Sequence, residues 1–229
     1  MNSRIVGAGA LLVILGIVAG AWFREANQTV RVPAGEASVP NPSDPNPGDA
    51  AAPPAEGTLP SPKIPDRLPQ FSLHDPAGKV IPIASFGDKS LMINFWATWC
   101  APCRSEIPLL RSLHAEWAGR GVSVVGIAVD QRDKVLEFAR RFNIGYPLLI
   151  GEQDALDAAA ALGVATPVFP FTVFTDRRGE VVALYVGELH KPQAELILSQ
   201  VQSLNAGQVE LAEARRAISA GLSTLPSST

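Results

Sequence analysis

Apolar positions along the chain fall into blocks whose periods change in a regular order. The first block, Ile5 to Phe23, is uninterrupted and bracketed by Arg4 and Arg24. A helix of that length just spans a bilayer, so residues 1–24 are expected to be a membrane anchor. A cleaved secretory signal is the competing reading, because Ala19-Gly20-Ala21 resembles a small-residue cleavage site. Either reading places the remainder of the chain across the membrane. Residues 25–64 then lose nearly all large apolar side chains in favour of Pro, Ala, Gly, Ser and Asp. Such a segment cannot build a core and is expected to act as a semi-stiff spacer.

Alternation typical of a domain begins near Pro65. Residues 70–73 and 79–83 flank Asp75-Pro76-Ala77-Gly78, which predicts a hairpin. Leu91 to Trp96 reads as a buried strand, and Leu109, Leu110, Leu113 and Trp117 continue at helical spacing, with Gly119 and Gly121 closing the helix. A second β-branched run, Val122 to Val129, precedes an amphipathic helix marked by Val135, Leu136, Phe138, Ala139 and Phe142. Further strands are predicted at residues 147–150, 171–175 and 181–186, with a short helix at 155–162. A final helix over 192–204 has proline in its first turn. The tail after Gly207 is expected to extend that helix or fray. The economical architecture is α/β, a central mixed sheet with helices on both faces, carrying an extra N-terminal hairpin and preceded by one transmembrane helix. The domain covers 65–205 and the C-terminal tail 206–229.

Composition narrows the chemistry. With 229 residues and a net charge of -3, the chain suits one globular domain plus appendages and offers no basic footprint for nucleic acid. Its two cysteines, Cys100 and Cys103, stand two residues apart where the first long strand hands over to a helix. A helix N-terminus stabilises a thiolate, so Cys100 is the expected nucleophile and Cys103 the resolving thiol that closes a redox disulfide onto it. Ala101 and Pro102 tune the pair, and Pro102 stiffens the first turn while removing a donor that would otherwise need a partner. Zinc wants four ligands, whereas His74, His114 and His190 are scattered and read as surface or satisfied residues. No metal and no cofactor beyond the disulfide are expected. A purely structural bridge closing so short a loop would gain little chain entropy. Arg104 is read as an exposed arginine.

The segment Ile93-Asn94-Phe95-Trp96-Ala97-Thr98-Trp99-Cys100-Ala101-Pro102-Cys103 resembles the active-site segment of the thioredoxin superfamily. Together with the anchor, spacer, leading hairpin and Glu106-Ile107-Pro108, it resembles the membrane-anchored TlpA, ResA and CcmG group of extracytoplasmic thiol-disulfide oxidoreductases, over residues 65–204. The resemblance implies a cis-proline beside the cysteines. Of Pro167 and Pro170, Pro170 has the right spacing to Phe171-Thr172-Val173-Phe174-Thr175-Asp176. Trp99 and the Phe169-Pro170 step would then shape the surface where a client docks, with Phe171 standing where relatives often carry threonine. Thioredoxins hold a buried aspartate where this chain has Asn94, and an amide cannot carry a proton in that range. The resemblance therefore makes Glu106 the base for Cys103. It further implies a reductase for protein thiols or disulfides, with apocytochrome c cysteines or copper-site thiols as clients. A transmembrane electron donor would recharge it at the inner (cytoplasmic) membrane, with the catalytic domain on the periplasmic or extracytoplasmic side. A metal-handling or client-binding module and a peroxiredoxin-like peroxidase are the alternatives.

Overall fold

The computed structural model describes residues 64–225. The expected anchor and nearly all of the spacer lie outside these residues. Among the described residues, no helix is long and apolar enough to cross a membrane.

Seven strands among the described residues form one sheet: β1 (Ser72–His74), β2 (Val80–Pro82), β3 (Ser90–Trp96), β4 (Val122–Val129), β5 (Leu148–Gly151), β6 (Phe171–Thr175) and β7 (Val181–Val186). Their spatial order is β2-β1-β5-β4-β3-β6-β7. The central trio β3, β4 and β5 is parallel and every other pairing is antiparallel, so the sheet is mixed as expected. Every residue of β3 and β6 is buried. That is why these segments are mostly apolar and lack the strict alternation of a half-exposed strand: both faces are covered.

The covering helices are α1 (Ala101–Trp117), α2 (Arg132–Arg141), α3 (Gln153–Ala161), α4 (Lys191–Asn205) and α5 (Leu211–Thr224). On one face, Met92, Trp96, Val124, Ala128 and Phe174 belong to a core with Ile107 and Leu110 of α1, Phe138 of α2 and Ile197 of α4. On the other, Ile93, Phe95, Val125, Ile127 and Val173 meet the alanines of α3 together with Leu73 and Ile83.

Both hairpin turns are built the same way. Asp75 Oδ1 accepts from the Ala77 and Lys79 N–H groups, and Asp176 Oδ1 accepts from those of Arg178 and Glu180. In each, a glycine takes positive φ, Gly78 at 86° and Gly179 at 76°.

The expected helix at 155–162 begins earlier, because Asp154 Oδ1 accepts from Glu152 N–H at the start of α3. The tail differs more. It neither extends α4 nor frays, but forms a separate helix. Gly207, at φ 67°, lets its N–H reach Leu204 C=O and Gln208 N–H reach Ser203 C=O, which ends α4. Then Ala214 and Ile218, one turn apart on α5, are buried in the core. Arg215 donates from Nε and Nη2 to Val181 C=O (3.1 and 2.6 Å) and from Nη1 to Asp66 Oδ1 (3.0 Å).

Candidate active site

Ala97 follows β3, and the Cys100 N–H donates back to its carbonyl (3.2 Å), which turns the chain into α1. Cys100 is the N-cap of that helix, and its Sγ accepts the Cys103 N–H at 3.2 Å. Pro102 occupies the first turn, where a missing N–H orphans nothing. Cys100 and Cys103 are joined as a disulfide, their Cα atoms 5.3 Å apart. They are 4 % and 1 % exposed, while Trp99 beside them is 68 % exposed. Arg104 is exposed, as read from the sequence.

The Phe169–Pro170 bond is cis. Phe95 pairs with Phe171, so the start of β6 lies at the same end of the sheet as the exit of β3 toward the cysteines. Four aromatic rings follow one another outward: Phe95 stacks on Phe171 (4.4 Å between centroids), Phe171 on Phe169 (6.2 Å), and Trp99 meets Phe169 edge-on (6.0 Å). Phe171 is fully buried as the second ring and supports Phe169 from below.

Glu106 lies one helical turn beyond Cys103 on α1 and is only 1 % exposed. Asn94 Nδ2 donates to its Oε1 (2.7 Å) and the Leu189 N–H to its Oε2 (3.0 Å). Asn94 Nδ2 also donates to Thr172 Oγ1 (3.1 Å), directly across from it on β6. Burial pushes the Glu106 carboxyl up to about 7, despite the opposing pull of its two hydrogen bonds.

Sequence reasoning missed four contributors. Thr172 and the Leu189 N–H complete the hydrogen bonds around Glu106. The Thr98 hydroxyl donates to Asp130 Oδ2 at the end of β4, pinning the loop before the cysteines. Tyr146 lies buried beside Gly126, where an added Cβ would fall 2.9 Å from the tyrosine ring and 2.8 Å from Leu148. None of the four carried a signal of its own, since Thr172 comes opposite Asn94 only once β3 and β6 pair. The histidines also differ from the sequence reading. Only His74 is exposed; His114 and His190 are half-buried, and His114 Nδ1 and His190 Nε2 are buried without a hydrogen-bond partner.

A family profile, AhpC/TSA, matches residues 64–191. The thiol-disulfide oxidoreductase ResA of Geobacillus kaustophilus is 30 % identical over 135 residues, covering 58 % of this chain and 75 % of that protein. ResA of Bacillus thuringiensis is 28 % identical over 140 residues, covering 61 % and 79 %. Among solved structures, a secreted thiol-disulfide isomerase from Corynebacterium glutamicum superposes with a TM-score of 0.54 at 28 % identity, over 61 % of this chain and 85 % of that one. A DsbF homologue from Corynebacterium diphtheriae gives 0.52 at 27 % identity, over 58 % and 85 %. A cysteine pair capping the helix that comes after the central strand, on a thioredoxin-like mixed sheet with these relatives, leads to one assignment: the chain belongs to the AhpC/TSA family and is a ResA-like thiol-disulfide oxidoreductase.

Proposed function

We propose that the protein is an extracytoplasmic reductase of protein disulfides, held at the cytoplasmic membrane by residues 5–23. In its reduced form the Cys100 thiolate, stabilised by the N–H groups and dipole at the start of α1, attacks a client disulfide. The client S–S bond breaks, one client thiolate leaves and takes up a proton, and Cys100 is left in a mixed disulfide. Glu106 then takes the proton from Cys103, whose thiolate attacks Cys100 Sγ and expels the second client thiolate. Two electrons pass to the client and the enzyme disulfide remains. Trp99, Ala101, Pro102, Phe169 and Pro170 form the docking surface. Apocytochrome c cysteines or copper-site thiols are the clients, and a transmembrane donor returns the electrons.

The observation that carries this reading is the buried Glu106 carboxyl, one turn from the resolving cysteine and poised near neutrality. The deciding experiment equilibrates the full chain in detergent against dithiothreitol and glutathione buffers. A midpoint near that of thioredoxin, about -270 mV, is expected for a reductase that needs a dedicated donor. A midpoint near about -120 mV would reverse the direction of electron flow. Absence of a reversible transition would favour a thiol-binding module, and rapid oxidation of Cys100 by a hydroperoxide would favour a peroxidase. Recovery of the chain in the membrane fraction after alkaline washing tests the anchor.

A further inference from the structure

Glu106 must discard the proton it accepts, and the side facing the disulfide offers it little solvent. Its side chain is buried, both cysteines are nearly so, and a docked client would cover the face carrying Trp99 and Phe169. The opposite side of the site is different. A row of paired residues, Tyr185, Thr172, Asn94 and Gly126, crosses β7, β6, β3 and β4 in register, so all four present to the sheet face that α1 covers. Asn94 in this row binds Glu106, and its neighbour Gly126 leaves room for Tyr146.

Three side chains around Gly126 each carry a buried polar atom with no partner among the described residues: Asn94 Oδ1, on its pairing partner, Trp96 Nε1 and the Tyr146 hydroxyl. Tyr146 is 4 % exposed. Its ring and Trp96 Nε1 lie 2.9 and 3.1 Å from the same point, the place a Cβ on Gly126 would take. Beyond Tyr146, with ring centroids 6.3 Å apart, lies half-buried His114, two turns along α1 from Glu106, its Nδ1 also unpartnered. Burial and the Glu106 carboxylate both hold the Tyr146 hydroxyl well above its ordinary value, which places it within the carboxylate's field. The other ionisable groups around Glu106 are Cys103 on α1, Tyr185 on β7, and Glu188 before α4, while Arg111 on α1 acts on Tyr146. An acceptor, an indole donor and a hydroxyl that does both are the partners a buried water needs.

We propose that ordered water held between Asn94 Oδ1, Trp96 Nε1 and the Tyr146 hydroxyl carries the proton of Glu106 to His114, which hands it to solvent. The route rests on Glu106 being the base for Cys103. A proton leaves the carboxyl, one moves along each hydrogen bond, and one departs from the imidazole, so nothing is oxidised or reduced.

The test measures resolution of the mixed disulfide between Cys100 of the full chain and a cysteine peptide, in weakly buffered solution. Tyr146→Phe keeps the ring and removes the hydroxyl, and His114→Ala removes the outlet. Each is expected to slow resolution about tenfold, within the range of general acid–base effects. Added imidazole should restore the His114→Ala rate and leave Tyr146→Phe slow, a pattern that loss of packing does not produce. An unchanged midpoint potential in both variants shows an intact disulfide site. Wild-type rates in both, with Glu106→Gln slow, would overturn the relay alone. Wild-type rates in all three would remove Glu106 as the base and the relay with it.

Discussion

A carboxylate taken out of water is costly, and Glu106 is held buried in that state one helical turn from Cys103. Its folded value of about 7 stands above the ordinary 4.5, so the folded state binds the proton more tightly than the unfolded chain. The contribution to stability is therefore fully present below about pH 4.5 and is lost as pH rises through about 7. A shift of that size corresponds to roughly 3 kcal/mol. Glu106→Gln is expected to flatten this pH dependence and to raise stability at pH 8 by up to roughly 3 kcal/mol while slowing exchange. Urea unfolding at pH 5 and pH 8 checks it: a variant no more stable than wild type at pH 8 rejects the burial argument. The amide can be accommodated, since Asn94 can turn its own amide and bring the unpartnered Oδ1 to face Gln Nε2. At this scale the cysteine pair was legible from spacing alone, and Glu106 from the resemblance. Leu189 was not, because a backbone N–H has no sequence signature. Tyr146 was not either, because its place depends on a glycine one strand away.

At the scale of elements, α5 shows how a weak pattern becomes structure. Leu211, Ala214, Ile218 and Leu222 recur at helical spacing, yet two of the four are only half-buried and one is alanine. Gly207 ahead of them reads as a terminus, and in the fold it is a hinge between two helices. What fixes α5 is Arg215, whose guanidinium reaches a backbone carbonyl of β7 and the Asp66 carboxylate. Arg215→Ala is expected to destabilise the domain by about 1–3 kcal/mol, as charged-group hydrogen bonds do. The midpoint potential should stay unchanged, since the guanidinium contacts no residue of the disulfide site. Thermal melts together with redox titration separate the two; a shift in potential would show that the sheet edge and the cysteines are coupled. The start of α1, by contrast, was readable down to its cap, because the sequence concentrates the strand, the cysteine and the proline within a few residues.

For the whole molecule, the class of fold was readable because doubly covered strands leave long apolar runs and amphipathic helices alternate with them. Strand order was not readable from periodicity, which says that β3 is central without saying that β6 and β4 flank it. That ordering comes from the backbone pairing of the fold. One consequence lies in how the described domain begins and ends. Asp66 accepts from Arg215, Val181 N–H donates to Asp66 C=O (2.9 Å), and the Arg67 backbone pairs with Glu180 in an isolated antiparallel bridge, so the first described residues and α5 hold the same edge strand. The order in which the chain is threaded is then nearly irrelevant to the finished object. A circular permutant that joins residue 225 to residue 64 through a short Gly-Ser linker, and opens at the exposed turn Asp75–Gly78, should refold and titrate at the parent's potential. A permutant that fails to form the disulfide would mean that the leading hairpin must be made as one continuous piece before the rest can assemble.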